Sequence, residues 1–423
     1  MIKKWLKDIK EERPLWLAEC RAESAENADS HEVGIDVISL EGENRSFKIS
    51  LPDVDTAEEI GLMTRFLDAN RVNAAMLLGQ MDDTDCAMPP AAAILKQLRG
   101  GPAPAAGDAA KKAEDAIKDK LICSVIVGGN DIKLAIAGAG GIRKVLAYDW
   151  NPKIATEEAM ITNPVFELCE MAKNFAGEFD AISVSVSDSV RRNKLFEGAD
   201  VYKKLAELLK PLCKAEGTVK AVSQGQLAAF TVYNELARSD AADKLLEGGV
   251  IAINLDDDLE IGMTDENGNI SPLPLDLADC ILRIDTENDK FPTQSEFLKT
   301  AKMPDTNPKP CYDLLYQMAE GGDKNSETLF MDLGNYLGHA VREFIYFVQP
   351  KTNRFFFTGK LAENDLAFDM IAIGMSKAAP DVDFIQIDKS LANSDLMRSL
   401  SKNEATPTAA FAAVIGALYY ALV

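Results

Sequence analysis

The stretch SVIVGGNDIKLAIAGAGGIRKVLAYD, from Ser124 to Asp149, decides the fold of this 423-residue chain. Its apolar runs are separated by two glycine-rich turns, which predicts three consecutive short strands. The first turn contains Gly128 and Gly129 and has two interpretations. A glycine-rich loop can hold a phosphate against its backbone N–H groups, and a tight hairpin needs the same glycines. The residues alone leave both open.

Outward from this stretch, strands and helices alternate as far as the C-terminus. Antiparallel strands followed by strand–helix alternation predict an α/β domain with a mixed sheet, and the pattern occurs twice. The final apolar run, Ala409 to Val423, predicts a buried helix. A membrane tail is the alternative, although 15 residues are fewer than the roughly 20 that a span needs. The other predicted helices lie near 164–175, 202–214, 225–237, 326–348 and 365–378, and the later strands lie in FDAISVSV, TVKAVSQ, GGVIAINL, RFFFTG and FIQID.

The N-terminal quarter has a different composition. A segment rich in Gly, Pro and Ala predicts a linker at residues 99–119, after a small α+β module at residues 1–98. Within the module we expect a helix around Lys3 to Glu26 and a hairpin from Val33 to Pro52. A second helix is predicted to start at Thr56, where Glu59 completes a capping box. The rest of the chain divides into residues 120–235 and 236–423.

Composition narrows the class of function. The net charge of -22 should repel nucleic acid and anionic lipid, so we expect neither as a partner. None of the seven cysteines forms a C-x-x-C pair, which favours a reducing, cytoplasmic location. Only two histidines occur, which disfavours a zinc site or a histidine-based catalytic triad. We predict no metal site from the residues.

The succession of segments resembles the ROK group of sugar kinases and repressors, within the sugar kinase and actin superfamily. The likeness extends over about 300 residues, from Leu121 to Val423, and rests on the order of segments more than on any single motif. It implies a two-lobed sugar kinase/actin-like (ribonuclease H-like) fold with mixed sheets. The segments that carry it are VGGNDIKLAIAGAGGIRKV, VSQGQLAAFTVYNEL, AINLDDDLEIG, FVQPKTNRFFFTGKLAEN and AAFAAVIGALYYAL.

The resemblance also implies where a nucleotide, ATP with Mg²⁺, would bind. Gln224 falls where the family has its general base. A base recruited from elsewhere would be Asp188 in VSDSVRRNK or Asp131, and Arg191 and Arg192 beside Asp188 would then bind an anionic substrate. The alternative interpretation is structural: Gln224 is a polar residue at the start of a helix, and DSVRRNKL is a solvated loop that leads into a helix. The cofactor-binding positions that the resemblance implies are Gly128, Gly129, Asn130, Asp256, Asp258, Thr358, Gly359 and Lys360.

Three departures from the family pattern bear on activity. Ile126 replaces the carboxylate that would organise Mg²⁺, and the neutral amide of Gln224 has no useful basicity. Asp256, Asp257 and Asp258 stand where a second phosphate loop would offer small residues, and their charges would repel a triphosphate. We therefore predict a catalytically degenerate protein that acts as a binding, assembly or regulatory subunit with a protein partner or as a homo-oligomer. The alternative is a divergent ATP-dependent phosphotransferase acting on a small hydroxylated substrate.

Overall fold

The computed structural model describes three strands within residues 16–50 and most of residues 115–422. In the second range the described residues exclude 192, 197–199, 257–258, 267, 269, 271–274, 278–297, 299, 304–307, 349 and 403–406. The helix predicted to start at Thr56 and most of the predicted linker lie outside the described residues.

The N-terminal strands form one antiparallel sheet in the order β1-β2-β3. The predicted hairpin is confirmed, because β2 and β3 pair antiparallel with Ile38 opposite Asn44. The helix predicted around Lys3 to Glu26 is wrong over Trp16–Glu23, which is strand β1. Charged residues alternate along the second half of this segment, a period of two that suits a strand. The bounds are Trp16–Glu23 for β1, Glu32–Ser39 for β2 and Asn44–Ser50 for β3.

Two five-stranded sheets form the rest of the fold, and they have the same topology. Their orders are β6-β5-β4-β7-β8 and β11-β10-β9-β12-β13. In each, the first three strands in sequence are antiparallel and the last two join in parallel. The predicted duplication is confirmed. The first sheet comprises Ile122–Val127 (β4), Asp131–Gly138 (β5), Gly141–Asp149 (β6), Phe179–Val186 (β7) and Cys213–Ser223 (β8). The second comprises Val250–Leu255 (β9), Leu259–Thr264 (β10), Leu275–Asp276 (β11), Arg354–Thr358 (β12) and Asp383–Gln386 (β13).

Helices cover both faces of each sheet, so the central strands β4 and β9 are buried throughout. The helices are Ala159–Ala176 (α1), Asp188–Arg191 (α2), Val201–Leu209 (α3), Gln224–Leu236 (α4), Ala242–Leu245 (α5), Pro308–Glu320 (α6), Lys324–Val348 (α7), Asp365–Ala378 (α8), Asp395–Ser401 (α9) and Thr408–Tyr420 (α10). Short 3₁₀ turns occupy Pro152–Ile154, Lys194–Phe196, Lys210–Leu212, Lys360–Ala362 and Lys389–Leu391.

Three apolar cores hold these layers together. One lies between the first sheet and helices α1 and α3, and another lies between the second sheet and helices α6, α7 and α8. The third lies between the two sheets and contains α4 and α10. The architecture is therefore two α/β/α units that share their middle helices.

The terminal helix α10 is buried between the sheets, as the sequence predicted. Ser124 and Ser183 donate hydrogen bonds of 2.7 and 2.6 Å from their Oγ atoms to the carbonyls of Val414 and Ala417. Although α10 closes the chain, it therefore lies against the sheet of the first lobe. The division at residues 235 and 236 stays a proposal. No helix within the described parts of the chain combines the length and apolar character that a membrane crossing requires.

Candidate functional site

A small pocket lies at the ends of β4 and β9, where the two sheets approach each other. Carboxyl ends of parallel strands are where ligands bind in folds of this kind. The pocket brings together three segments that the sequence predicted as cofactor-binding: the β4–β5 loop, the residue after β9 and the segment after β12. Its lining residues are Gly128, Gly129, Asn130, Asp131, Asp256, Tyr312 and Lys360.

The β4–β5 loop is closed by its own hydrogen bonds. The Gly128 N–H donates to the carbonyl of Asp131 at 2.9 Å, and the Trp150 indole N–H donates to the carbonyl of Gly128 at 2.8 Å. A Cβ added to Gly128 would lie 3.0 Å from the Asp131 carbonyl oxygen, so the tight turn accounts for this glycine. The hairpin interpretation therefore explains Gly128 without a phosphate.

Asp256 is the acidic group that enters the pocket from the second sheet. Its Oδ1 accepts the backbone N–H of Lys360 at 3.0 Å, and its Oδ2 accepts a weaker bond from Asn254 at 3.4 Å. Burial raises the pKa of the Asp256 carboxyl, and the nearby Asp131 adds to the rise. The positive charge of Lys133 opposes that rise only in part. Asp258, the other acidic residue predicted here, lies outside the described residues.

Lys133 is a buried cation that the sequence analysis did not single out. It lies on β5 directly opposite Ile126 of β4, and its side chain is only 8% exposed. Its Nζ is 3.3 Å from Oδ2 of Asp131. Burial by itself would lower the pKa of Lys133, but the carboxylates of Asp131, Asp256 and Glu363 outweigh burial and raise it. The lysine therefore stays charged, and acidic groups of this protein balance it.

Lys360 lines the pocket, and its positive charge is also balanced by carboxylates of this protein. Its Nζ donates to Oδ1 of Asp313 at 2.9 Å and to the carboxylate of Glu363, and it lies 5.5 Å from the ring centroid of Tyr316. Burial would lower its pKa, but the Glu363 and Asp313 carboxylates raise it overall. In the opposite sense, burial raises the pKa of the Glu363 carboxyl even though Lys360 lies beside it.

Thr358 and Gly359 set the course of the chain into this pocket. Gly359 has a φ of +98°, which side-chain-bearing residues rarely adopt, and an added Cβ would lie 2.7 Å from the Leu255 carbonyl oxygen. Thr358 is buried and donates from Oγ1 to the carbonyl of Ala409 at 2.6 Å. Both residues therefore act in packing β12 against β9 and α10.

Gln224 lies beside the pocket, at the first turn of α4, but its amide is held inside the protein. The side-chain Nε2 donates to the Val127 carbonyl at 3.3 Å, and Oε1 accepts from Asn254 Nδ2 at 2.7 Å. Gln224 is 4% exposed, and Ile126 is packed in the apolar core between the sheets. The two positions at which the resemblance implies carboxylates in a kinase therefore hold one neutral polar group and one apolar group in this chain.

Glu260 is a second buried charged residue, after Lys133, to which the sequence analysis assigned no role. This buried side chain on β10 accepts the backbone N–H of Asp188 at 2.8 Å, that of Gln224 at 3.0 Å and that of Gly225 at 3.2 Å. A carboxylate at a helix N-terminus satisfies free N–H groups and the helix dipole. Glu260 thus occupies, from within the chain, the kind of position that a bound anion takes at a helix N-terminus. Its sequence signal is an acidic residue inside an otherwise apolar strand, LEIGMT.

Asp188, the alternative base, is likewise engaged. It is 4% exposed, and Arg191 donates from Nε to its Oδ1 at 2.7 Å. Its neighbour Arg192 lies outside the described residues. The backbone N–H groups of Asp188 and Gln224 both donate to Glu260, and neither residue lines the pocket.

Comparison with known proteins identifies the fold. No family model matches the sequence, and no curated protein matches it significantly. A solved ROK family glucokinase from Streptomyces griseus, in complex with glucose and AMPPNP, has a TM-score of 0.50 and 14% identity, and the match covers 71% of this chain and 99% of that one. The chain has the fold of a ROK sugar kinase.

Two further structures are similar at lower scores. Glucokinase from Balamuthia mandrillaris, in complex with glucose, has a TM-score of 0.46 and 12% identity over 75% of this chain and 99% of that one. A ROK family transcriptional regulator, a homologue of the E. coli MLC protein, has a TM-score of 0.46 and 14% identity over 71% of this chain and 79% of that one.

In the arrangement described, the pocket of this ROK-like chain disfavours a triphosphate. Its candidate anion donors, the N–H groups of Gly128 and Lys360 and the ammonium of Lys133, already face oxygens of this protein. Within the described residues, no cluster of three or more His, Cys, Asp or Glu side chains has the arrangement of a metal site.

Proposed function

We propose that this chain is a non-catalytic protein with a ROK sugar kinase-like fold that acts as a binding, assembly or regulatory subunit. The observation that carries the proposal is the carboxylate of Asp256, which accepts the Lys360 N–H inside the cleft and faces Lys133. The carboxylate of Asp256 thus takes up the Lys360 N–H and the positive charge of Lys133, which the phosphate group of a nucleotide would need.

The charge balance supports this proposal. Two lysines in and around the pocket face four carboxylates, those of Asp131, Asp256, Asp313 and Glu363. Two like charges 4 Å apart repel by about 4 kcal/mol at an effective dielectric constant of 20. Because about 1.4 kcal/mol is a factor of ten in affinity, one such contact weakens the binding of an anion by about a thousandfold. A triphosphate would meet this repulsion unless Asp256 moved.

The proton chemistry supports it as well. Transfer of a phosphoryl group to a hydroxyl needs a base within hydrogen-bond reach of that hydroxyl. The amide of Gln224 cannot accept the proton, and Asp188 is paired with Arg191 and does not line the pocket. The alternative, a divergent ATP-dependent phosphotransferase, would have to free the carboxylate of Asp188 from Arg191, or that of Asp131 from Lys133, to obtain its base.

Partner and location follow as parts of the same proposal. A protein that does not turn over a substrate acts through what it binds, so we propose a protein partner or a second copy of this chain, in the cytoplasm. The charge of -22 argues against nucleic acid as that partner. Size-exclusion chromatography with light scattering measures the oligomeric state directly, and a strictly monomeric chain with no partner would count against the proposal.

Titration calorimetry with Mg·ATP, Mg·ADP and metal-free ATP, together with transfer of labelled γ-phosphate to a panel of hexoses, tests the absence of catalysis. We expect no phosphoryl transfer and no Mg²⁺-dependent binding at millimolar nucleotide. Turnover by the unmodified chain that disappears in Asp188→Asn but persists in Asp180→Asn would overturn the proposal. Asp180 is a suitable control because it lies at the opposite end of β7, paired with Lys214 at 2.8 Å.

A further inference from the structure

Helix α1 carries exposed apolar side chains at the edge of the face that it buries. Five apolar residues recur along it at spacings of three and four: Met160, Pro164, Leu168, Met171 and Phe175. We call this set the α1 stripe. Met171 and Phe175 are 66% and 67% exposed and Met160 is 43% exposed, whereas Pro164 is half-buried and Leu168 packs against the core of the first sheet. Met171 and Phe175 lie one turn apart, and large apolar side chains that lie together in solvent are typical of an interaction site.

The surroundings of the α1 stripe are acidic. Glu157, Glu167, Glu170 and Glu178 are exposed before, along and after the helix. Lys173 is the one basic residue of α1, and it is paired with Glu178 at 3.2 Å. Lys153 is an exposed basic residue on the preceding turn. An occupant of the stripe therefore needs an apolar face flanked by positive charge. A second copy that docked by its own α1 stripe would place glutamates against glutamates, which costs affinity.

The first ten residues of this chain, MIKKWLKDIK, have the required pattern. Apolar side chains recur at helical spacing, at Ile2, Trp5, Leu6 and Ile9, and lysines occupy four of the other positions, against one aspartate. This segment lies outside the described residues. As a helix it would be about 15 Å long, which fits within the roughly 22 Å between Met160 and Phe175. Lys3 and Lys10 would lie together at one edge of the apolar face of such a helix, near the α1 glutamates.

We propose that the α1 stripe is the docking site of residues 1–10 of the same chain, bound as a basic amphipathic helix. The apolar residues of the segment cover Met171 and Phe175, and its lysines pair with the acidic rim. This inference is independent of whether the cleft binds a nucleotide. It assigns a role to a basic segment in an otherwise strongly acidic chain.

Fluorescence of Trp5 in the full-length chain tests the docking. The emission of Trp5 is the difference between the spectra of the unmodified chain and Trp5→Phe, and its exposure is measured by acrylamide quenching. We expect a protected Trp5 in the unmodified chain and a quenching constant at least twofold higher in Met171→Glu/Phe175→Glu. The same release is expected from Lys3→Glu/Lys10→Glu, which reverses the two lysines beside the apolar face and leaves α1 unaltered. Ile373→Glu is the matched control, because Ile373 is an exposed apolar residue of α8 outside the stripe.

The test uses one double variant in α1 and one in residues 1–10, so a folding defect in one of them does not decide the result. Met171 and Phe175 are largely exposed, so the thermal midpoint of their variant should match that of the control. A Trp5 that is fully quenched in the unmodified chain overturns the proposal. So does a protected Trp5 that neither double variant releases, since the segment would then be bound elsewhere. Protection that is lost on dilution, together with a dimer that dissociates, would assign the stripe to a second copy instead.

Discussion

Replacing Asp256 by asparagine removes the negative charge of this side chain from the pocket and keeps its size. The amide oxygen can still accept the Lys360 N–H, which Asp256 now accepts at 3.0 Å. A hydrogen bond to a charged group contributes about 1.5–3 kcal/mol and one to a neutral group about 0.5–1.5 kcal/mol, so the bond weakens by about 1 kcal/mol. Removing a buried charge beside Asp131 offsets that loss, because burial and Asp131 already raise the pKa of Asp256. We expect a change in unfolding free energy within about 1 kcal/mol.

The effect on anion binding should be much larger. With the carboxylate gone, an anion near Lys133 and Lys360 no longer meets a repulsion of about 4 kcal/mol, and its Kd falls by about three orders of magnitude. Pyrophosphate at about one hundred times its Kd would stabilise the variant by about 2.7 kcal/mol. For a domain of this size that stabilisation corresponds to a rise of about 5 °C in Tm.

Thermal unfolding followed by circular dichroism measures this difference. The unmodified chain, Asp256→Asn and the charge-matched control Asp180→Asn are each titrated with pyrophosphate at constant ionic strength. We expect the midpoint to rise only in Asp256→Asn. An equal rise in all three proteins, or a well-folded Asp256→Asn with no rise, would refute the idea that Asp256 occupies an anion site.

Three other substitutions test the packing around the cleft. Glu260→Ala leaves three helix N-terminal N–H groups without their carboxylate acceptor and should cost at least about 3 kcal/mol in the free energy of unfolding, measured by denaturant titration. Gly359→Ala combines a φ of +98° with a Cβ only 2.7 Å from the Leu255 carbonyl oxygen and should cost about 2–4 kcal/mol in the same assay, so an unchanged midpoint would contradict the local geometry. Burial raises the pKa of the Glu235 carboxyl despite the N–H groups that it accepts from Asn393 and Ser394. The folded state therefore holds this proton at a higher pH than the unfolded state, so stability rises as the pH falls from neutral through the folded pKa toward about 4.3. Glu235→Gln should flatten that part of the calorimetric Tm–pH profile, and an unaltered profile would contradict this assignment.

Local patterns predicted most of the strands and long helices after Leu121, but not helices Pro308–Glu320 and Asp395–Ser401. The strand–helix alternation from Leu121 onward predicted both mixed sheets, and the apolar composition of residues 409–420 predicted a buried terminal helix. The segment Trp16–Glu23 failed because its apolar residues suit either period over so short a length, and pairing with β2 decided between them. Helix Val201–Leu209 ended earlier than expected, since β8 begins at Cys213 to reach its partner β7.

Part of the pocket could also be predicted from the sequence. Resemblance placed Gly128, Asp256 and Lys360 in one site, and the structure brings them together. It could not say that Asp256 would bond to the backbone of Lys360, because the two residues are 104 positions apart in sequence. The roles of Lys133 and Glu260 were missed for the same reason, since the partners of each depend on strand register and on how the helices meet the sheets.

The sequence by itself determined the type and order of the elements, because hydrophobic periodicity, turn glycines and caps act over a few residues. It also determined that Ile126 and Gln224 cannot supply charge. Tertiary structure alone decided that the cleft is filled by the protein's own ionic groups, and that α1 keeps apolar side chains exposed at the edge of its buried face. Those outcomes depend on burial and on contacts between distant segments, which set the strength of every charge interaction in the cleft.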